Sequence, residues 1–172
     1  PQPCSSAASD VYKRQALTPV KNDLSINKDL YLRHCQYLMR QGHDGLAIFG
    51  TTGEANSFSV QEKKDHLDFL VSNRIDPKIL MPGTGSSSLN EAIEMTKHAA
   101  SHKVKGVLLL PPFYYKNVTN EGIINYYRQI IEKVGESDLQ YILYHIPQNS
   151  YVSIDFKTVS YTHLRAHETR SY

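Results

Sequence analysis

Three apolar runs in this chain end in side-chain hydroxyls. GLAIF (45–49) leads into GTTGE, Gly50 to Glu54, with Thr51 and Thr52; GVLLL (106–110) leads into PPFYYKN, with Tyr114 and Tyr115; QYILY (140–144) ends on Tyr144 and is followed by His145. A phenol with an unperturbed pKa near 10 is a poor base at neutral pH, but a chain of hydroxyls can pass a proton without any member holding a full charge. A lone tyrosine at a strand end is usually a packed ring with its hydroxyl in water. Three such ends on one face of a sheet favour a relay. In GTTGE, Gly50 and Gly53 let the backbone turn tightly and expose amides, and the threonines add hydroxyls, so the loop suits a carboxylate or a phosphate. It lacks the lysine of GxxxxGK[ST], which argues against a nucleotide site. PGTGSSS (82–88) is also glycine-rich, but Ser88 stands where the last glycine of GxGxxG belongs, and a structural turn is the better reading.

Elements that could hold these loops are visible around them. The apolar runs GLAIF, KILM (78–81), GVLLL and QYILY do not alternate polar with apolar residues. Strands buried on both faces have this pattern, which means a parallel sheet covered by helices. The segments between the runs are amphipathic. NKDLYLRHCQYLMRQG places Leu30, Leu38 and Met39 near one stripe and stops at Gly42; SVQEKKDHLDFLVSN opens with Ser59 and Glu62 at capping-box spacing, and SLNEAIEMTKHAASHK repeats the logic with Ser88 and Glu91. TNEGIINYYRQIIEKVG puts Ile123, Tyr127, Ile130, Ile131 and Val134 on one side and ends at Gly135. Strand starts recur about every 30 residues, as in a (β/α)8 TIM barrel, whose chemistry sits in the loops at the carboxyl ends of its strands. With ALTPV (16–20) as the remnant of an earlier strand, the chain holds about five βα units of an incomplete barrel.

Composition narrows the function classes. No apolar run approaches the roughly 20 residues of a membrane span, and no signal-peptide pattern opens the chain, so no membrane partner and a cytoplasmic location are expected. Cys4 and Cys35 are too few for a disulfide framework or a zinc site, and the eight histidines form no HExxH, so no metal is expected. Residues 1–15 and 160–172 lack strand or helix periodicity, and SDVYKRQ and VSYTHLRAHET resemble translated sequencing adapters; both ends are expected to be non-native tails around a domain spanning 16–159. The tails carry Lys13, Arg14, Arg165 and Arg170 against Asp10 and Glu168, which leaves 15 basic and 15 acidic residues between them. The net charge of +2 therefore gives no reason to expect a nucleic-acid partner.

ALTPV, GTTGEANSFS, GTGSSSLNEAIEMTKHA, LLPPFYY and ILYHIP, in this order and spacing, resemble the dihydrodipicolinate synthase and N-acetylneuraminate lyase family of pyruvate-dependent class I aldolases. The resemblance implies a (β/α)8 barrel with no separate cofactor, in which a lysine forms a Schiff base with pyruvate and the enamine adds to an aldehyde, or the reverse. It implies that Tyr144 shuttles protons at the Schiff base, that Thr51 bridges it to Tyr114, with Tyr115 as the alternative register, and that Thr52 and the Gly50–Gly53 amides hold the pyruvate carboxylate. It implies that Tyr114 enters a neighbouring subunit's site, hence a homo-oligomer, a dimer or tetramer. The Schiff-base lysine belongs one βα unit after Tyr144. Lys157, in SIDFKTV, is read instead as a solvated helix residue, and the 172-residue chain alone is expected to be inactive.

The substrate is bounded by one departure from the family pattern. In dihydrodipicolinate synthases an arginine follows the tyrosine by five residues and binds a substrate carboxylate; here that position is Asn149, which removes the fixed charge of a bidentate contact. IPQNS looks closer to the lyases and keto-acid aldolases, and His145 adds a donor for a hydroxylated substrate. An aldolase, lyase or dehydratase acting on pyruvate and a sugar-derived or other 2-keto acid is the leading expectation. The alternatives are a 4-hydroxy-tetrahydrodipicolinate synthase and a non-catalytic barrel homologue that binds a small acid.

Overall fold

The computed structural model describes residues 15–43, 45–135 and 137–154. The tail segments 1–14 and 160–172, and Lys157 with them, lie outside the described residues.

The four apolar runs form four short parallel strands: β1 (Leu46–Ile48), β2 (Leu80–Pro82), β3 (Gly106–Leu109) and β4 (Gln140–Leu143). β1 pairs with β2, setting Leu46 opposite Leu80; β3 pairs with β4, setting Gly106 opposite Gln140. A parallel bridge between Gly83 and Leu108 joins the two ladders, and Gln15 bridges Ala47 on the other side of β1. The order is therefore Gln15, β1, β2, β3, β4. Helix α1 (Lys28–Arg40) precedes β1; α2 (Val60–Ser72), α3 (Leu89–Ser101) and α4 (Asn120–Val134) run between successive strands, and the one-turn α5 (Pro147–Ser150) follows β4. Every residue of β1, β2 and β3 is buried, as continuous apolar strings in a helix-covered parallel sheet require. Leu46, Ile48, Leu80, Val107 and Leu109 each add about 1.5–3 kcal/mol of transfer free energy to this core.

Helix ends follow local chemistry, with some departures from expectation. Ser59 and Glu62 form a reciprocal capping box on α2. Ser88 caps α3 but receives no return bond, because the Glu91 carboxylate accepts from the Ser86 hydroxyl at 2.7 Å instead. On α1 the buried residues are Tyr31 and Cys35, with Leu38 and Met39 packed against the core; Leu30, expected on that stripe, is 48% exposed. One residue of phase separates the two, since 31, 35, 38 and 39 share a face that 30 leaves.

ALTPV is not a buried strand. Leu17 and Val20 are exposed, and after Ala16 donates to the Ala47 carbonyl the segment leaves the sheet. Pro19 has no N–H for the ladder, and the Thr18 hydroxyl donates to the Gly53 carbonyl at 2.8 Å. Two glycines of PGTGSSS are required sterically: a Cβ on Gly83 would lie 2.0 Å from the Phe49 carbonyl oxygen, and one on Gly85 would lie 2.4 Å from the Leu110 nitrogen.

Candidate active site

The GTTGE loop leaves β1 through a strained corner. Phe49, buried among core residues, has φ of 52°, and Glu54 has φ of 53°. A bulky residue in the left-handed region costs about 1–3 kcal/mol and persists only where its surroundings impose it. Here the surroundings are the core around the Phe49 ring, which lies 5.7 Å from that of Tyr31, and the bonds that close the loop: Glu54 N–H to the Thr51 carbonyl and Ala55 N–H to the Gly50 carbonyl. Gly53 is held on its other side by Thr18, and a Cβ there would approach the Ala16 carbonyl to 2.8 Å. The result is a fixed loop at the carboxyl end of the sheet, with the Thr52 N–H turned toward the next element.

Tyr144 reaches the same end from β4. Its N–H donates to the Leu109 carbonyl at 2.9 Å, extending the β3–β4 ladder by one residue, and its ring is buried. The phenol oxygen accepts from Gln15 Nε2 at 2.8 Å, and Gln15 Oε1 accepts from the Thr52 N–H at 2.9 Å. One planar carboxamide thus spans from the Tyr144 hydroxyl to the Thr52 amide. It lies against Gly50, where a Cβ would come within 2.8 Å of Gln15 Oε1. A carboxylate has the same shape; the Thr52 N–H already donates to that place, and the Tyr144 hydroxyl, which now accepts from Gln15 Nε2, can rotate its O–H to donate to an oxyanion there.

The expected residues distribute unevenly. Thr52, Gly50 and Tyr144 meet around the Gln15 amide, and Gly53 anchors the loop behind them. Thr51 is partly buried and its carbonyl closes the loop by accepting from the Glu54 N–H. Tyr114 and Tyr115 are 71% and 70% exposed and stack edge to face on each other with centroids 5.1 Å apart. The Tyr114 N–H donates to the Ser87 hydroxyl, which ties the PPFYY and PGTGSSS loops together. His145 is exposed, and its Nδ1 accepts from the Ile154 N–H at 3.2 Å, which leaves Nε2 as the proton-bearing nitrogen of the neutral ring. Asn149 is exposed on α5.

Two participants escaped the sequence reading. Gln15 was assigned to the leading tail, and nothing in a one-residue bridge gives a periodic signal. Tyr126, on the buried face of α4, places its hydroxyl on the Ser86 carbonyl and accepts from the Ser86 N–H, fixing the PGTGSSS loop; burial pushes its phenol up to about 12, so it serves as a strut rather than a proton carrier. No helix among the described residues is long and apolar enough to cross a membrane.

Comparison with known proteins identifies the family. The model of the dihydrodipicolinate synthetase family matches residues 13–165. The chain is 33% identical over 138 residues to a 4-hydroxy-tetrahydrodipicolinate synthase of Methanothrix thermoacetophila, covering 80% of this chain and 45% of the relative. Dihydrodipicolinate synthase from Agrobacterium tumefaciens superposes with a TM-score of 0.81 at 29% identity, covering 89% of this chain and 53% of that one. A 2-keto 3-deoxygluconate aldolase from Picrophilus torridus does so with a TM-score of 0.78 at 31% identity, covering 90% of this chain and 53% of that one. The chain spans about half the length of the curated relatives it matches. It belongs to the dihydrodipicolinate synthetase family and carries consecutive βα units of that family's TIM barrel.

Proposed function

We propose that the protein to which this chain belongs is a Schiff-base class I aldolase or lyase acting on pyruvate and a sugar-derived or other 2-keto acid. The observation that carries the reading is the carboxamide of Gln15 held between the Thr52 N–H and the Tyr144 hydroxyl, a space and donor set suited to the carboxylate of a 2-keto acid. With that carboxylate docked on the GTTGE amides, the keto carbon faces Tyr144. A lysine amine adds there, water leaves, and the buried Tyr144 hydroxyl hands protons between the carbonyl oxygen, the forming imine and the substrate carbon. Loss of a methyl proton gives an enamine that adds to an aldehyde; the reverse cleaves the same bond. Tyr114, exposed beside Tyr115, supports an oligomer in which it completes a neighbouring subunit's relay.

A second reading, 4-hydroxy-tetrahydrodipicolinate synthase, draws on the names of the relatives from Methanothrix thermoacetophila and Pelagibacter ubique. Asn149 weighs against it, because a neutral amide supplies no charge for a second carboxylate. The test is to express the complete reading frame, incubate it with pyruvate and borohydride, and locate any adduct by mass spectrometry. A single reduced pyruvyl group on one lysine is expected, with cleavage of 2-keto-3-deoxy sugar acids. Absence of any adduct from a folded protein would sink both readings, and turnover confined to an aldehyde bearing its own carboxylate would select the second.

A further inference from the structure

On the helical layer, α2 and α3 bring together a set of side chains that the barrel chemistry does not use. His98 and His102 are one turn apart at the end of α3, with ring centroids 5.0 Å apart, and Asp68 faces both from α2. Asp68 Oδ1 lies 2.7 Å from His98 Nε2 and 2.6 Å from His102 Nε2. All three donor atoms fall within 4.8 Å of one another. Helices of a βα unit run back against the strands, so this cluster sits toward the amino ends of the strands, the end opposite the GTTGE loop.

Hydrogen bonding explains only half of the cluster. His102 Nε2 bonds to Asp68 with good geometry. His98 Nε2 is shielded from solvent and, despite its 2.7 Å approach to the same oxygen, makes no hydrogen bond. A buried ring nitrogen this close to a carboxylate oxygen but not directed at it is a costly arrangement for a simple helix clamp. The neighbouring charges are settled elsewhere: Lys64 and Glu94, one turn earlier on the same two helices, pair with each other at 2.8 Å. Among the described residues, the ion-pair partners of Asp68 are the two imidazoles.

Two imidazoles and one carboxylate are the donor set of a three-ligand site for a borderline divalent metal, with bonds of about 2.0–2.2 Å and an open fourth position. We infer that Asp68, His98 and His102 bind a divalent transition metal such as zinc, bridging α2 to α3. The donor atoms are closer than metal ligands sit, so binding moves the Asp68 carboxylate outward, which its 48% side-chain exposure permits. The side chains of His98 and His102 are 20% and 25% exposed, which leaves the fourth position open to water.

The test is calorimetric titration of the chelator-stripped complete protein with zinc chloride, with magnesium chloride as control. One zinc of micromolar or tighter affinity is expected, with no magnesium binding, and H98A, H102A and D68N should each weaken zinc at least about tenfold. Should a variant fail to fold, the unaltered chain still decides the matter: substoichiometric Cu²⁺ should broaden the NMR signals of residues 68, 98 and 102 first. Zinc binding that survives both histidine substitutions, broadening centred elsewhere, or no zinc binding at all would each overturn the inference.

Discussion

Replacing Gln15 by alanine should tighten 2-keto acid binding while weakening the fold. In the resting chain the Gln15 amide satisfies the Thr52 N–H at 2.9 Å and the Tyr144 oxygen at 2.8 Å, so an incoming carboxylate must displace both bonds. A neutral hydrogen bond contributes a net of about 0.5–1.5 kcal/mol, so the two hold the amide in place by about 1–3 kcal/mol. At about 1.4 kcal/mol per decade, Q15A should raise pyruvate affinity by roughly 5- to 150-fold. The same two bonds leave the folded state, so stability in urea should fall by about 1–3 kcal/mol. Opposite signs are the signature, because a variant that merely loosened the structure would lose both. Pyruvate affinity measured by ligand-observed NMR on the parent chain, Q15A and Q15E separates the cases. Q15E, which puts a fixed negative charge against the same amides, should bind more weakly than the parent. If Q15A binds no tighter than the parent while both bind, the amide does not occupy the acid site; if neither binds, the cradle has been misassigned.

Tyr144→Phe in the complete protein should lower kcat by about 10²-fold or more with a smaller change in KM, since it removes a proton carrier and leaves the Thr52 amide in place; unchanged turnover would remove Tyr144 from the chemistry. Gly83→Ala should cost upward of about 3 kcal/mol or prevent folding, because its Cβ would sit 2.0 Å from the Phe49 carbonyl across the β1–β2 junction; a urea midpoint near that of the parent would refute the close approach. His66, buried beside the Glu62 carbonyl that its Nδ1 meets at 2.7 Å, is held below the usual imidazole range, chiefly by burial. Unfolding lets it take up a proton, so stability should fall as pH drops from 7 through the ordinary imidazole pKa near 6.5, and continue falling to the depressed folded value. His66→Asn should flatten that slope, and an unchanged slope in urea titrations at pH 7 and 5 would assign it to other groups.

The repeating architecture was legible because each element carries its own signal. GLAIF, KILM, GVLLL and QYILY are continuous apolar runs apart from Lys78 and Gln140 at their starts, and each maps onto a parallel strand. Strands β1, β2 and β3 are buried throughout as two-sided cover requires, whereas in β4 Gln140 is exposed and Tyr141, Ile142 and Leu143 are only partly buried. Ser59 with Glu62 fixes the start of α2 from four residues of local chemistry. ALTPV misled because its apolar residues pointed to a strand while Pro19 and the bond from Thr18 to Gly53 pulled the chain out of the sheet after one bridge. The pairing of Asp68 with His98 and His102 was passed over for a related reason. HAASH holds two histidines at helical spacing without the glutamate of HExxH, and the third donor comes from a different helix.

The site shows where reading by element stops. Thr52 and Tyr144 were identified from their places after strands, which the barrel turns into one location. What joins them is Gln15, a residue whose role depends on a partner 129 positions away and on another 37 positions away. No window of sequence holds all three, and the side chain that links them belongs to neither a strand nor a helix. Its amide matches the shape of the acid that the cradle is proposed to take, so the residue that periodicity set aside reports on the ligand more directly than the residues it had singled out. That is why Q15A separates the alternatives: of the residues in the cradle, Gln15 is the one whose removal should weaken the fold and strengthen binding together.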